Sequence, residues 1–278
     1  MTATTTPGRV RSAAEVVQEP SWALMARSFG SLLRRDVVVT GKDLVSFVAQ
    51  VFLQPVFFLF VFGKLLTGLG YTSSNFSSLL FPGLVALTAT VTAIQATAFP
   101  LVAEFGWTKE IEDRLLAPLP LWVVAAEKLL FASLRAMVAA AVMFPIGIGV
   151  LGSVPYRAAG LGLLIGIGLL GSLVGACIGM TIGTFVPPTK ISMAFSLIFT
   201  PLLFTGATQY PWPLLTHLRW FQIVTAANPI TYVSEGMRAA LVPSIPHIPG
   251  WICVLALIGS LAVFGIIGLI GFRRRSMD

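Results

Sequence analysis

The sequence predicts an all-α polytopic membrane protein: six transmembrane helices, an N-terminal interfacial helix, and a re-entrant outer helical hairpin before the last span. Three observations carry that prediction. The chain of 278 residues is 56% hydrophobic and only 10% charged, with a mean hydropathy of +0.90. Soluble domains run near roughly 45–50% apolar and about 25% charged. The apolar residues gather in long runs, five clear ones and a sixth preceded by an interrupted segment, at about 44–66, 80–103, 129–152, 159–186, 190–208 and 250–271. Each run suffices for a hydrocarbon core of ~30 Å, which takes about 20 helical residues. Finally, the 18 basic residues are unevenly shared between the links. The runs are continuous rather than alternating, which selects helices over a barrel. Buried helices of a large soluble protein would carry charged outer faces, and these runs lack them.

Taken in order, residues 1–20 are polar, with no apolar core before a small-residue cleavage site. They read as a flexible cytoplasmic tail rather than a signal peptide. Residues 21–36 place Trp22, Met25, Phe29, Leu32 and Leu33 on one helical face and Arg27, Ser31 and Arg34 on the other. That pattern suits a helix lying in the membrane surface with its bases toward headgroups. An amphipathic helix packed on soluble protein looks the same, but a span starting a few residues later favours the interface. Residues 37–278 form the transmembrane domain.

Arg9, Arg11, Arg27, Arg34, Arg35 and Lys42 precede the first span, and Lys109, Arg114, Lys128 and Arg135 lie between spans 2 and 3 or early in span 3. Lys190 joins spans 4 and 5, and Arg273, Arg274 and Arg275 follow span 6. The opposite side has only Lys64, Arg157, Arg219 and Arg238. The positive-inside rule therefore puts both termini in the cytoplasm. The net charge of +7 is an orientation signal and an attraction to anionic lipid. No nucleic-acid module accompanies it. Cys177 and Cys253 fall inside spans as packing residues, and His217 and His247 stand far apart among prolines and tryptophans. Neither pair has metal or disulfide spacing.

No ionisable residue falls in the centre of a span, where ion-coupled carriers bind their ions. The midplane polar groups are neutral: Gln50, Gln54, Thr88, Thr90, Thr92, Gln95 and Thr97. The chain also lacks a G-x-x-x-x-G-K-[ST] phosphate loop. A membrane protein with neither fuel nor midplane charge can be driven by a separate cytoplasmic ATPase, and then needs a docking surface. Residues 104–114, EFGWTKEIEDR, hold four acids and two bases between two apolar runs. Trp107, Glu110, Ile111, Arg114 and Leu115 recur at helical spacing, and Pro118 and Pro120 stop the segment. A short docking helix over about 104–118 fits this pattern. A solvated loop whose charges hold it in the cytoplasm fits the charge equally well.

Residues 209–249 contain Pro211, Pro213, Pro229, Pro243, Pro246 and Pro249, too many breaks for a span. Two short helices are expected, at about 213–225 and 229–241, the second capped by Asn228 with Pro229 at its first position. Glu235 and Arg238, at i and i+3, can pair. Broken backbone at membrane depth must be covered by protein or line a cavity. This segment is therefore a gate at the outer end or, slightly favoured, a structural plug. Span 4 carries Gly171, Gly175, Gly179 and Gly183, a small-residue ladder for close packing inside the subunit or, less favoured, at a dimer seam. Pro55 and Pro201 are candidate kinks.

Two motifs resemble those of ABC-2 type transporter permeases. In KEIEDRLLAPLPLWVVAAEK (109–128), Glu112, Leu115, Leu116, Ala117 and Pro118 match the first cytoplasmic loop: a glutamate, a Leu-Leu pair, a small residue and a proline before span 3. The family often has Gly-Thr where this chain has Lys109-Glu110. In NPITYVSEGMRAAL (228–241), Asn228, Pro229, Thr231, Tyr232, Glu235 and Arg238 match the stretch before the last span. The resemblance covers nearly the whole chain. It implies the transmembrane permease subunit of an ATP-binding-cassette exporter in a bacterial-type plasma (inner) membrane, multi-pass, with both termini cytoplasmic. A second permease subunit, identical or a sister chain, would complete the pathway. An ATPase subunit dimer would bind ATP and Mg, with no cofactor or metal on this chain. Trp107, Glu110, Ile111, Glu112, Arg114, Leu115, Leu116 and Pro118 would form the coupling helix, and Pro187, Pro188, Thr189 and Lys190 a second cytoplasmic contact. Spans 1, 2 and 5 would lie nearest the pathway, offering Gln50, Gln54, Thr88, Thr92, Gln95 and Phe199. This neutral and aromatic set suits a hydrophobic or amphipathic drug or lipid, or simply bonds to neighbouring helices. ABC-2 relatives export drugs, polyketide antibiotics, lipids and polysaccharides, so a polysaccharide or glycolipid exporter is an alternative. A non-transport membrane enzyme or assembly factor would need a polar catalytic cluster, and none is visible. Membrane lipids, not nucleic acid, are the remaining partners.

Overall fold

The computed structural model describes residues 21–42, 53, 55–71, 76–108 and 120–276. Every regular element among them is helical. Helix α1, Ser21–Lys42, runs past the expected interfacial segment. The amphipathic stripe ends near residue 36, but no breaker appears before Gly41, so the helix continues over Val37 and Val38. Helix α2 spans Pro55–Gly68, with a π-helical stretch at Leu59–Leu65. Residues 44–52 and 54 of the expected first span, Gln50 and Gln54 among them, lie outside the described residues. Helix α3, Phe76–Ala103, passes into a π-helical turn at Glu104–Thr108.

Helix α4 spans Leu121–Leu151 and α5 spans Leu161–Phe185. Helix α6 is Ile191–Phe204, with Pro201 inside it. A 3-10 segment at Trp212–His217 leads to α7, Arg219–Ala226, and α8, Pro229–Leu241. Helix α9, Gly250–Arg275, closes the fold. Among the described residues, four stretches are long and apolar enough to cross a membrane: Phe76–Gly106, Leu121–Leu151, Ala158–Phe185 and Gly250–Arg275. Helices α2 and α6 are shorter apolar helices.

Two boundaries differ from expectation for physical reasons. Helix α4 starts at Leu121, not 129, because Pro120 with its extended backbone (φ −61°, ψ 139°) is the break. The charged pair Glu127 and Lys128 then lies within the helix, and both side chains are buried. The expected helix 213–225 is instead the 3-10 segment plus α7. Leu218, at φ −123° and ψ 63°, breaks it.

Helices α3 and α5 form the centre, with α4 and α9 packed around them and α8 lodged against both. The glycine ladder explains the close α3–α5 approach. A Cβ at Gly175 would lie 2.7 Å from the Thr90 carbonyl, one at Gly179 would strike the Ile94 carbonyl, and one at Gly183 would lie 2.9 Å from Leu101 Cβ. Gly171 is instead covered by Val233 of α8, at 2.7 Å. Helix α6 is the contrast: Met193 and Leu197 are 73% and 70% exposed.

The bundle has two distinguishable ends. The basic end gathers the π-helical turn after α3, the start of α4, the end of α5 with residues 186–190, and the arginines closing α9. The far end gathers the start of α3, residues 152–160, the loop 205–211 and the approach to α9.

Candidate functional site

At the basic end, the turn Glu104–Thr108 is the root of the segment expected to dock an ATPase. Of that segment's residues, Trp107 contributes backbone to the turn. Glu110, Ile111, Glu112, Arg114, Leu115, Leu116 and Pro118 lie outside the described residues. The root itself is fastened on three sides. Lys128 Nζ of α4 donates to Glu104 Oε1 at 2.6 Å, and both side chains are more than nine-tenths buried. Phe105 packs edge-on against Phe272 of α9, with ring centroids 5.7 Å apart, and the Arg275 guanidinium sits 5.4 Å above the Phe105 ring. Gly106 touches Pro188 so closely that a Cβ there would run into the proline ring.

The second expected contact therefore meets the root from which the first would extend. Pro187 opens and Pro188–Lys190 form a single 3-10 turn, with Pro187, Thr189 and Lys190 exposed. Arg275 Nη1 donates to the carbonyls of Thr184 (2.9 Å) and Val186 (3.1 Å), the last acceptors of α5. Carbonyls at a helix C-terminus lack intrahelical donors and carry partial negative charge, so a guanidinium there satisfies both needs. Four helices thus converge on one turn.

At the far end, the stretch 228–241 is spent on holding broken backbone. Asn228 caps α8 by accepting from Ile230 N–H at 2.9 Å, and its amide donates to Leu202 O at 2.7 Å and Thr205 Oγ1 at 2.9 Å. Pro229 follows at the first helical position, where its missing N–H costs nothing. Thr231 donates to Thr225 O at 2.6 Å and Tyr232 to Ala226 O at 2.8 Å. Ser234 reaches Gly206 O at 2.8 Å. Glu235 accepts from Trp212 N–H on one oxygen (2.9 Å) and from Ile248 N–H on the other (3.0 Å). Its first oxygen also pairs with Arg238 Nη1, and both side chains are wholly buried. Arg238 Nη2 then donates to Ala207 O at 3.2 Å, where the backbone takes a left-handed turn (φ 49°). The Tyr210 hydroxyl donates to Phe204 O at 2.7 Å.

Thr88, Thr92, Gln95 and Phe99 recur at four- and three-residue steps, one stripe along α3. Thr88 and Thr92 are buried and Gln95 half-buried; the Thr88 hydroxyl has no hydrogen-bond partner among the described residues. Phe99 meets Phe195 of α6 at 5.1 Å between centroids, and Phe195 stacks on Phe199 at 4.9 Å. Thr90 and Thr97, by contrast, bond their own helix at Ala86 O and Ala93 O.

Sequence reasoning missed the roles of Glu104, Lys128, Phe105 and Arg275, and of Trp212 and Ser234. The buried Lys128 had one usable signal, its place with Glu127 inside a mostly apolar helix. Among curated proteins, none matches this chain. The family model of the ABC-2 type transporter matches residues 27–242, more than three quarters of the sequence, from within α1 to the end of α8. The chain belongs to the ABC-2 type transporter family.

Proposed function

We propose that this protein is the permease subunit of an ATP-driven exporter, moved by a separate ATPase dimer through residues 104–118. The observation that carries the reading is the fastening of Glu104–Thr108 to α4, α9 and the 186–190 link. A push on the segment beyond that turn reaches four helices at once, rather than bending one loop. The family's permeases work with an ATPase, which agrees with a chain that carries no phosphate loop of its own. ATP and Mg belong to that partner, and the basic end faces the cytoplasm of an inner membrane.

The far-end segment is read as a re-entrant plug. Val233 meets Gly171, ten residues into α5, which is ~15 Å along that helix at 1.5 Å per residue. That is about half of a ~30 Å hydrocarbon core. Backbone broken at that depth needs protein partners, and Asn228, Thr231, Ser234, Glu235 and Arg238 supply them. A second permease subunit would cover α6, whose aromatic face with the Thr88–Phe99 stripe suits a hydrophobic or amphipathic drug or lipid.

The test leaves the fastened root intact and replaces 109–118 with a Gly/Ser loop of equal length. In the reconstituted complex, ATP hydrolysis should lose its dependence on the permease while the bundle still folds. Transport-coupled hydrolysis at the parental level would refute the reading.

A further inference from the structure

A hydroxyl inside a membrane helix can return its hydrogen bond to the carbonyl four residues back. Thr90 and Thr97 of α3 do so, as do Ser172 and Thr184 of α5. The stripe on another face of α3 does not. Thr88 is 3% exposed, and its hydroxyl has no hydrogen-bond partner among the described residues. Thr92, one turn on, and Gln95 after it also make no side-chain hydrogen bond among the described residues. A hydroxyl or amide buried without a partner is destabilising. The plug, by contrast, finds partners for Asn228, Ser234 and Glu235. The central helix of the bundle thus carries one row of polar groups that the fold does not use.

The row is graded. Thr88 and Thr92 are buried, Gln95 is half-buried and Phe99 is 38% exposed. It is closed toward the far end and open toward the basic end, along ~16 Å of helix at 1.5 Å per residue. At the open end Phe99 meets Phe195 of α6, which stacks on Phe199. Neither α3 nor α6 holds an ionisable residue, and Glu104, just past α3, is taken by Lys128. A charged group drawn into this row would lose its water and find no counter-charge. Two hydroxyls and a primary amide each donate and accept. They match hydroxyl, ester or amide groups, while the phenyl rings match an apolar body.

We propose that Thr88, Thr92 and Gln95 are the hydrogen-bonding half of a cargo site on α3, and that the cargo is a neutral amphiphile. Its uncharged, hydroxyl- or carbonyl-bearing head bonds to these three side chains, and its apolar body lies against Phe99, Phe195 and Phe199. This names the cargo class of the permease reading; it rests on that reading for the cargo's movement, not for its binding. The unused hydrogen bonds cost the fold stability, and the bound head supplies their partners.

The experiment uses the full-length chain in phosphatidylcholine nanodiscs. Three photoprobes share one diazirine-bearing decyl chain and differ in head: a glucoside, a sulfate and a trimethylammonium. Labelled peptides are mapped by mass spectrometry. The glucoside should label residues 88–99 and 195–199 saturably, in competition with plain decyl glucoside. The charged probes should label the exposed face of α9 around Ile270 but the α3 row about tenfold less than the glucoside does. Thr88→Val, Thr92→Val and Gln95→Leu should each weaken saturable labelling about three- to tenfold, the effect of one neutral hydrogen bond. Thr88→Val removes an unpaired hydroxyl and keeps the branched shape, so it should melt at or above the parental temperature. That separates lost binding from lost fold. Equal labelling of the row by all three probes overturns the neutral class. Absence of saturable glucoside labelling there overturns the site, as does parental labelling in all three variants. A Thr88→Val chain melting well below the parent overturns the role given to its hydroxyl. If the row labels as expected while hydrolysis stays coupled after replacement of 109–118, the permease reading fails and the site stands.

Discussion

Replacing Glu235 with alanine tests what holds the far end together. Three donors converge on this carboxylate: Arg238 Nη1, Trp212 N–H at 2.9 Å and Ile248 N–H at 3.0 Å. Alanine leaves a wholly buried guanidinium without its counter-charge, which costs about 3–5 kcal/mol. It also strips two backbone donors of their acceptor, each worth about 1–3 kcal/mol when buried and unpaired. The sum is about 5 kcal/mol or more, comparable with the ~5–15 kcal/mol that holds a whole domain. For a chain of this size that is a drop of roughly 10–20 °C in apparent melting temperature. Fluorescence-detected size exclusion after heating, in detergent or nanodiscs, reads it directly. The double variant Glu235→Gln/Arg238→Met removes both charges and keeps one acceptor, so it should recover part of the loss. If Glu235→Ala melts within about 2 °C of the parent, less than the effect of one kcal/mol, the clasp contributes nothing and the account of the plug is wrong.

Two further expectations follow from packing and charge. Gly179→Ala puts a methyl into the Ile94 carbonyl and should cost about 1–3 kcal/mol by overpacking. Gly259→Ala, with open space around it, should be neutral or stabilising by up to ~1 kcal/mol; equal thermal stability of the two variants would contradict the tight α3–α5 seam. Lys128→Met removes the cation from Glu104, and in the assembled complex it should lower permease-dependent ATP hydrolysis several-fold. The reversed pair Glu104→Lys/Lys128→Glu should restore part of that activity, and a reversed pair no better than Lys128→Met would refute the fastening role.

Local chemistry carried much of this structure in plain view. The Asn228–Pro229 cap, the Glu235–Arg238 pair and the ladder from Gly171 to Gly183 are each set by residues within a turn or two, so spacing alone reveals them. Their partners are another matter. That Gly171 meets Val233 while Gly179 meets Ile94 depends on where α8 is lodged. That Glu235 also binds Trp212 and Ile248 depends on two loops folding back to it. The Glu104–Lys128 pair spans 24 residues and two helices, beyond the reach of any periodicity. The early start of α4 was hidden by its own charges, because Glu127 and Lys128 resemble a solvated link until their burial is known.

The most direct test of the central claim places a photo-crosslinking amino acid at Leu116 in native membranes and identifies what it captures by mass spectrometry. An ATPase bearing a phosphate loop should be captured at Leu116 and not from Ile270 on the exposed face of α9. Capture of lipid or solvent adducts alone at Leu116, while the complex still hydrolyses ATP in a permease-dependent manner, would contradict it.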